Sequence, residues 1–70
     1  MQALSKASIG NFYTIKWMFG LPHIVDYMHS LGIQEGSVIH LVLRFRDGMI
    51  IGAGEKRLYL TNEVAERIQV

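Results

Sequence analysis

Cysteine is absent from this sequence of 70 residues, and its absence excludes disulfide bonds, thiolate metal sites and cysteine nucleophiles. Small secreted domains normally depend on disulfides, so the lack of cysteine favours the cytoplasm. No apolar run is long enough to span a bilayer, and the first ten residues lack the apolar core of a signal peptide. We therefore expect a cytoplasmic protein that does not insert into a membrane.

A strong charge of either sign is also lacking. Seven Lys and Arg residues stand against six Asp and Glu residues, which gives a formal net charge of +1. Nucleic-acid binding generally rests on many contacts between basic side chains and phosphates. This charge balance does not supply them, so no nucleic-acid partner is expected.

Apolar residues, in contrast, are abundant and make up 50% of the chain. A chain of this length forms a single domain, residues 1–70, and buries only about 60% of its unfolded surface. Its core is too small to take every apolar side chain. Some of them must remain on the surface, which is typical of a face that binds a partner.

An amphipathic helix is predicted between Gly20 and Gly32 from the positions of its apolar residues at about 100° per residue. One side of this helix is apolar and comprises Leu21, Ile24, Val25, Tyr27, Met28 and Leu31. The other side comprises Pro22, His23, Asp26, His29 and Ser30. We expect Gly32 to end the helix in the left-handed conformation, which glycine adopts at little steric cost.

Alternating apolar residues predict strands on both sides of this helix. In the first strand, residues 12–19, one face is formed by Tyr13, Ile15, Trp17 and Phe19. In the longest strand, residues 37–45, an inner face of Ile39, Leu41, Leu43 and Phe45 alternates with an outer face of Val38, His40, Val42 and Arg44. The sequence Arg46-Asp47-Gly48 predicts a hairpin turn, since Asp-Gly readily takes positive φ angles.

The remaining segments are short. A return strand is predicted over residues 49–53, followed by a strand over 57–60, a helical turn over 62–66 capped by Thr61, and a last strand with Ile68 and Val70. The sequence therefore predicts a mainly β fold, a small barrel of about five strands with one α-helix after the first strand and a short helical turn before the last. We expect its core to bury Leu31, Ile39, Leu41, Leu58 and Ile68.

Several of these pieces occur in the order found in one known family. They are Leu4, Gly10, Ile15, the run Leu31-Gly32-Ile33-x-x-Gly36, the pair Ile39-x-Leu41, and the tail from Arg57 to Val70. Over nearly the whole chain, this order resembles the FeoA family (ferrous iron transport protein A), whose domain also ends iron-dependent transcriptional repressors. The resemblance implies an SH3-like fold and an accessory protein without catalysis or cofactor. It also implies docking on the cytosolic part of FeoB, a membrane ferrous-iron transporter with a GTP-binding domain.

The chain departs from the family pattern in the helix. Family members commonly carry an arginine-rich stretch there, whereas residues 22–28 of this chain contain no arginine. Docking is therefore expected to depend less on salt than an arginine-led contact would.

Three helix residues suggest a metal site. His23, Asp26 and His29 fall within about 120° of one helix face, and imidazole and carboxylate groups suit iron(II), zinc or manganese. The triplet, however, spans about 9 Å along the axis, and metal-binding helices tend to use i, i+4 pairs, which this helix lacks. We interpret the triplet as the solvated face of the helix and assign no metal ligand.

Other candidate residues have two interpretations each. His40 is either a partner contact or an ordinary exposed histidine. Arg44, Arg46, Lys56 and Arg57 form a predicted basic cluster at one end of the hairpin, which either meets an acidic partner or lipid headgroups or simply keeps the hairpin soluble. Trp17 either belongs to an aromatic peptide groove or packs in the core, as its register favours.

The residues predicted to bind a partner follow from the surplus apolar surface. They lie on the helix and on the outer row of the longest strand: Pro22, His23, Asp26, Tyr27, Val38, His40 and Val42. No nucleophile elbow, glycine-rich phosphate loop or acid–base pair of carboxylates is present, so no catalytic residue is assigned. Two alternatives remain: a detached regulatory domain of an iron-dependent repressor, which lacks a helix-turn-helix of its own, and a small metal carrier.

Overall fold

The computed structural model describes all 70 residues. A short 3₁₀ helix, Leu4–Lys6, precedes six strands and two α-helices. In chain order these are β1 (Phe12–Thr14), β2 (Trp17–Met18), α1 (Pro22–Ser30), β3 (Val38–Arg44), β4 (Gly48–Ala53), β5 (Lys56–Thr61), α2 (Asn62–Glu66) and β6 (Ile68–Gln69). None of the helices is long and apolar enough to cross a membrane.

The strands form two antiparallel sheets. One sheet has four strands in the order β1-β3-β4-β5, and the other pairs β2 with β6. The 3₁₀ helix packs against α2 and β6. The prediction of a mainly β domain is confirmed at this level. Six strands are present where about five were predicted, and α1 follows the second strand and not the first.

The extra strand arises because the predicted first strand is divided between the two sheets. Ile15 still bonds beside β3, donating its N–H to the Ser37 carbonyl at 2.8 Å. Lys16 already bonds beside β6, donating to the Gln69 carbonyl at 2.7 Å. The chain therefore changes partner between these two residues.

This change of partner also shifts the side-chain alternation by one residue. Ile15 and Met18 are buried, whereas Lys16 and Trp17 between them are both exposed. The prediction of Trp17 as a core residue is therefore wrong: 54% of it is exposed, and its ring lies 4.8 Å from that of Phe19 on the surface.

A register shift interrupts β3 between Leu41 and Leu43. Leu41 is opposite Ile51 and Leu43 is opposite Ile50, so Val42 is an extra residue on β3, as in a β-bulge. Beyond the bulge the alternation is inverted. Leu43, predicted to be buried, is 48% exposed.

The same inversion changes the end of β3. Arg44 is paired with the fully buried Met49 and so lies on the core side of the sheet. Its guanidinium donates hydrogen bonds to the carbonyls of Ser5, at 2.8 Å, and Ala7. Phe45, also predicted to be buried, is exposed and lies against Tyr59 with the ring centroids 6.3 Å apart.

Fourteen buried apolar residues form one core cluster that joins both sheets and the helices. Ile39, Leu41 and Ile68 belong to it, as predicted. Leu31 and Leu58 are only partly buried and pack against its margin. Leu31 directly follows the last residue of α1, and Leu58 lies on β5, an edge strand of the four-stranded sheet.

The end of α1 confirms the predicted role of Gly32, which has φ +80°. The N–H of Gly32 donates to the His29 carbonyl at 2.9 Å, and the N–H of Ile33 donates to the Met28 carbonyl at 3.0 Å. These two bonds form a Schellman motif, and Ile33 enters the core directly after it.

The turn before β4 differs from the prediction at Gly48, which has no positive φ. A Cβ at this position would overlap the carbonyl oxygen of Leu60 and lie 2.6 Å from the Tyr59 hydroxyl. Glycine is required there by the close approach of β5. In contrast, Gly54 has φ +63° in the two-residue loop between β4 and β5.

Substitution of Leu41 and Leu43 by alanine tests the bulge. Leu41→Ala should lower the free energy of unfolding by about 2–5 kcal/mol, because a fully buried leucine leaves a cavity. Leu43→Ala should change it by only about 0.5 kcal/mol, because the side chain is on the surface. Chemical denaturation of both variants measures the difference, and equal losses would contradict the inverted alternation.

Candidate interaction site

A row of four residues crosses the outer face of the four-stranded sheet. The strand pairing places Phe12 opposite His40, His40 opposite Gly52, and Gly52 opposite Arg57. Directly paired residues of a sheet point to the same face. Across the sheet, the row therefore consists of the Phe12 ring, the His40 imidazole, a position without a side chain at Gly52, and the Arg57 guanidinium.

The first two side chains of this row are held together. The Phe12 and His40 rings are stacked, with centroids 4.3 Å apart and an interplanar angle of 10°. Nε2 of His40 lies 3.2 Å from the Gly10 carbonyl oxygen, so this nitrogen carries the proton and donates it. The His40 side chain is therefore held in one orientation at the side of the site and does not rotate freely on the surface.

The loop before Phe12 is fixed by Tyr13. The backbone N–H of Ser8 donates to the Tyr13 hydroxyl at 2.9 Å, and the Asn11 side-chain amide lies 3.4 Å from the same oxygen. These donors, the Ser8 amide above all, lower the pKa of the Tyr13 phenol because they stabilise the phenolate. They also hold the loop that brings the Gly10 carbonyl to His40.

Gly52 forms the floor of a groove of about 540 Å³ on this face. A Cβ at position 52 would lie 3.7 Å from Val42 Cγ2 and 3.8 Å from His40 Cβ, which are ordinary contact distances. The backbone would thus accept a side chain there, and the glycine leaves the space open. The residues lining the groove are Phe12, Val38, His40, Val42, Gly52, Gly54, Glu55, Lys56 and Arg57.

The structure brings together three of the predicted partner-binding residues, since Val38, His40 and Val42 all line this groove. Sequence analysis missed Phe12 and Gly52, since neither was assigned to the partner-binding face. The pairing register is the signal that identifies both, and it depends on contacts between distant segments.

The other four predicted residues lie elsewhere. Pro22, His23, Asp26 and Tyr27 are exposed on α1, and none of them lines the groove. Tyr27 instead borders a second, mostly apolar cleft of about 200 Å³ between α1, β5 and α2. The two halves of the predicted surface are therefore separate, with β5 bordering both.

The predicted basic cluster is also divided, because successive hairpin turns lie at opposite ends of an antiparallel sheet. Lys56 and Arg57 line the groove, whereas Arg44 and Arg46 line a depression next to the 3₁₀ helix. The Arg44 side chain donates to backbone carbonyls, but the Arg57 side chain makes no hydrogen bond or ion pair within the chain. A free guanidinium therefore stands at one side of the groove.

Comparison with known proteins is decisive at the level of family. The model of the FeoA domain matches residues 2–70. The chain belongs to the FeoA domain family. No curated protein sequence is similar enough to count as a match.

Solved structures share the fold. A crystal structure of an iron uptake regulatory protein, FeoA, superposes with a TM-score of 0.81 at 22% identity, covering 94% of this chain and 89% of that one. The solution structure of FeoA from Chlorobium tepidum superposes with a TM-score of 0.88 at 20% identity, covering 97% of this chain and 67% of that one. A manganese-dependent transcriptional repressor superposes with a TM-score of 0.82 at 20% identity, covering 96% of this chain and 39% of that one. The fold of this FeoA domain is thus the SH3-like fold expected from the resemblance.

The helix triplet of this FeoA domain does not converge. His23, Asp26 and His29 are all exposed, and no three His, Asp or Glu side chains in the chain come together as a metal ion would require. His29 instead lies 3.9 Å from the Glu35 carboxylate. Three exposed and separated side chains offer a single ion too few ligands at one time.

We predict that metal has little effect on stability. A site with a Kd one hundredth of the free ion concentration would add about 2.7 kcal/mol to the free energy of unfolding. With iron(II), under anaerobic conditions, or with zinc at micromolar concentration, we expect the melting temperature to stay constant. A shift that saturates at one equivalent and disappears in His23→Ala/His29→Ala would contradict this prediction and support a metal carrier.

Proposed function

We propose that the chain is a non-enzymatic, cytoplasmic interaction module for ferrous iron uptake that docks on the cytosolic part of a FeoB-type transporter. The family supports the link to iron uptake. The observation that carries the docking proposal is the open outer face of the four-stranded sheet, where Phe12, Val38 and Val42 contribute apolar side chains to the groove.

This face has the composition of a protein interface. Val38 is 57% exposed, and Phe12 and Leu43 are exposed on the same face of the sheet. Ile50 and Tyr59 continue the surface, since both are paired in line with Leu43. An apolar centre with aromatic residues and a charged margin is typical of interfaces, where a few residues contribute most of the binding energy.

The absence of buried ionisable side chains supports a non-enzymatic role. All buried residues are apolar or glycine, whereas catalytic acids and bases generally acquire suitable pKa values through burial and charged neighbours. We therefore propose binding, which requires a complementary surface and no tuned proton transfer.

The expected salt dependence changes with the structure. The missing helix arginines led to an expectation of a weak salt effect. Because Lys56 and Arg57 line the same groove as Val38 and His40, we propose that apolar and electrostatic contacts act together on one face. The helix residues Pro22, His23, Asp26 and Tyr27 remain as a proposed second contact, which a partner lying across β5 would reach.

A second candidate function is regulatory. The fold is shared with the manganese-dependent transcriptional repressor. In that case the groove would bind a DNA-binding protein and not a transporter. Offering both partners to the same immobilised chain distinguishes the two functions.

Titration of the ¹⁵N-labelled chain with the transporter's cytosolic domain, in each nucleotide state, tests the proposal. We expect the largest chemical-shift changes at Val38, His40 and Val42, since the groove would lose water on docking. Changes confined to Arg44 and Arg46 would place the contact at the depression next to the 3₁₀ helix and would contradict docking through the groove. No change in either nucleotide state would contradict docking on the transporter.

A further inference from the structure

We infer that the groove binds an extended acidic segment of its partner, with a carboxylate seated over Gly52 between His40 and Arg57. This inference rests on the proposed function, because it names the chemistry of the segment that the docking surface takes. It follows from three features of the groove: its gap, its charge and its apolar walls.

The gap is set by the strand register. His40 and Arg57 are separated by one strand, β4, which carries Gly52 between them. Neighbouring strands are about 4.8 Å apart, so the two side chains rise from backbones about 10 Å apart. With no side chain at position 52, this leaves a slot about one side chain wide.

The charge of the slot favours an anion. The groove is lined by Lys56 and Arg57 against one acidic residue, Glu55. The Arg57 guanidinium has no acceptor within the chain, although those of Arg44 and Arg67 donate to backbone carbonyls. A guanidinium binds a carboxylate through two parallel hydrogen bonds, and its planar fork suits that geometry.

The apolar walls favour a peptide over a free anion. Phe12, Val38 and Val42 border the slot. Covering these side chains contributes favourably to the free energy of binding when the ligand itself is apolar, as a peptide side chain can be. An extended segment presents alternate side chains to one face, so a carboxylate in the slot can be flanked by apolar residues. The net charge of +1 provides few of the phosphate contacts that a nucleic acid would require.

Two charge variants test the inference with the transporter's cytosolic domain as the probe. In Arg57→Gln, which keeps much of the side-chain length, we expect the Kd to rise about tenfold and its salt dependence to decrease. Arg46→Gln removes the same charge from an exposed arginine that does not line the groove. This control should bind like the unmodified chain.

A slot-filling variant tests the geometry. Gly52→Val should weaken binding, and we expect the variant to fold, since a Cβ at position 52 meets only ordinary contacts and β-branched residues suit strands. Unaltered affinity in a folded Gly52→Val protein would overturn the slot. A large loss of stability would be recognised in its melting curve, and Arg57→Gln would then decide the matter.

Overlapping synthetic peptides from the transporter's cytosolic domain then test the carboxylate itself. The binding peptides should contain Asp or Glu between apolar residues, and Asp→Asn or Glu→Gln should weaken them. The same replacements should have no further effect on binding to Arg57→Gln, since the paired group is already missing.

The outcomes separate the inference from the proposed function. Binding that shifts the Val38 resonance but is equally affected by Arg57→Gln and Arg46→Gln would overturn the acidic segment and leave docking intact. Groove shifts caused by inorganic phosphate but by no peptide would also overturn it, in favour of a small-anion site. Absence of any binding by the domain would overturn both.

Discussion

The register shift in β3 is the constraint on which the two faces of the molecule depend. Before the shift, Ile39 and Leu41 point into the core; after it, Leu43 points outward and Arg44 returns to the core side, where it binds the carbonyls of Ser5 and Ala7. One extra residue therefore fixes the N-terminal segment to the sheet. It also turns Leu43 to the outer face, next to Val42, so that this face is more apolar than regular alternation would make it.

Local patterns in the sequence were sufficient where the structure is determined locally. The end of α1 at Gly32 and the cap at Thr61, which accepts a hydrogen bond from the Val64 N–H, depend on a few adjacent residues and were predicted correctly. The exposure of Trp17 was not predicted, because it follows from the change of pairing partner from β3 to β6. Likewise, the inversion at Leu43 depends on a shift against β4, and alternation within β3 carries no sign of it.

Only some residues of the candidate site were predicted, because the others depend on pairing between strands that are distant in the sequence. Outward alternation identified Val38, His40 and Val42, but only pairing across four strands shows that Phe12 and Arg57 lie in one row with His40. The shared fold alone does not decide the partner, since FeoA proteins and manganese-dependent repressors have it in common. The proposed partner therefore rests on the chemistry of the open sheet face, where a guanidinium and an aromatic stack lie on either side of a glycine.

Site-specific photo-cross-linking tests the central claim that this sheet face is the primary docking surface. Val38 and Tyr27 are equally exposed, at 57% each, and they lie in the groove and on α1 respectively. A photoreactive amino acid is placed at one position or the other, in cells that express the FeoB-type transporter. The account predicts a cross-link to the transporter from position 38 in higher yield than from position 27. A cross-link from position 27 with none from position 38 would contradict it.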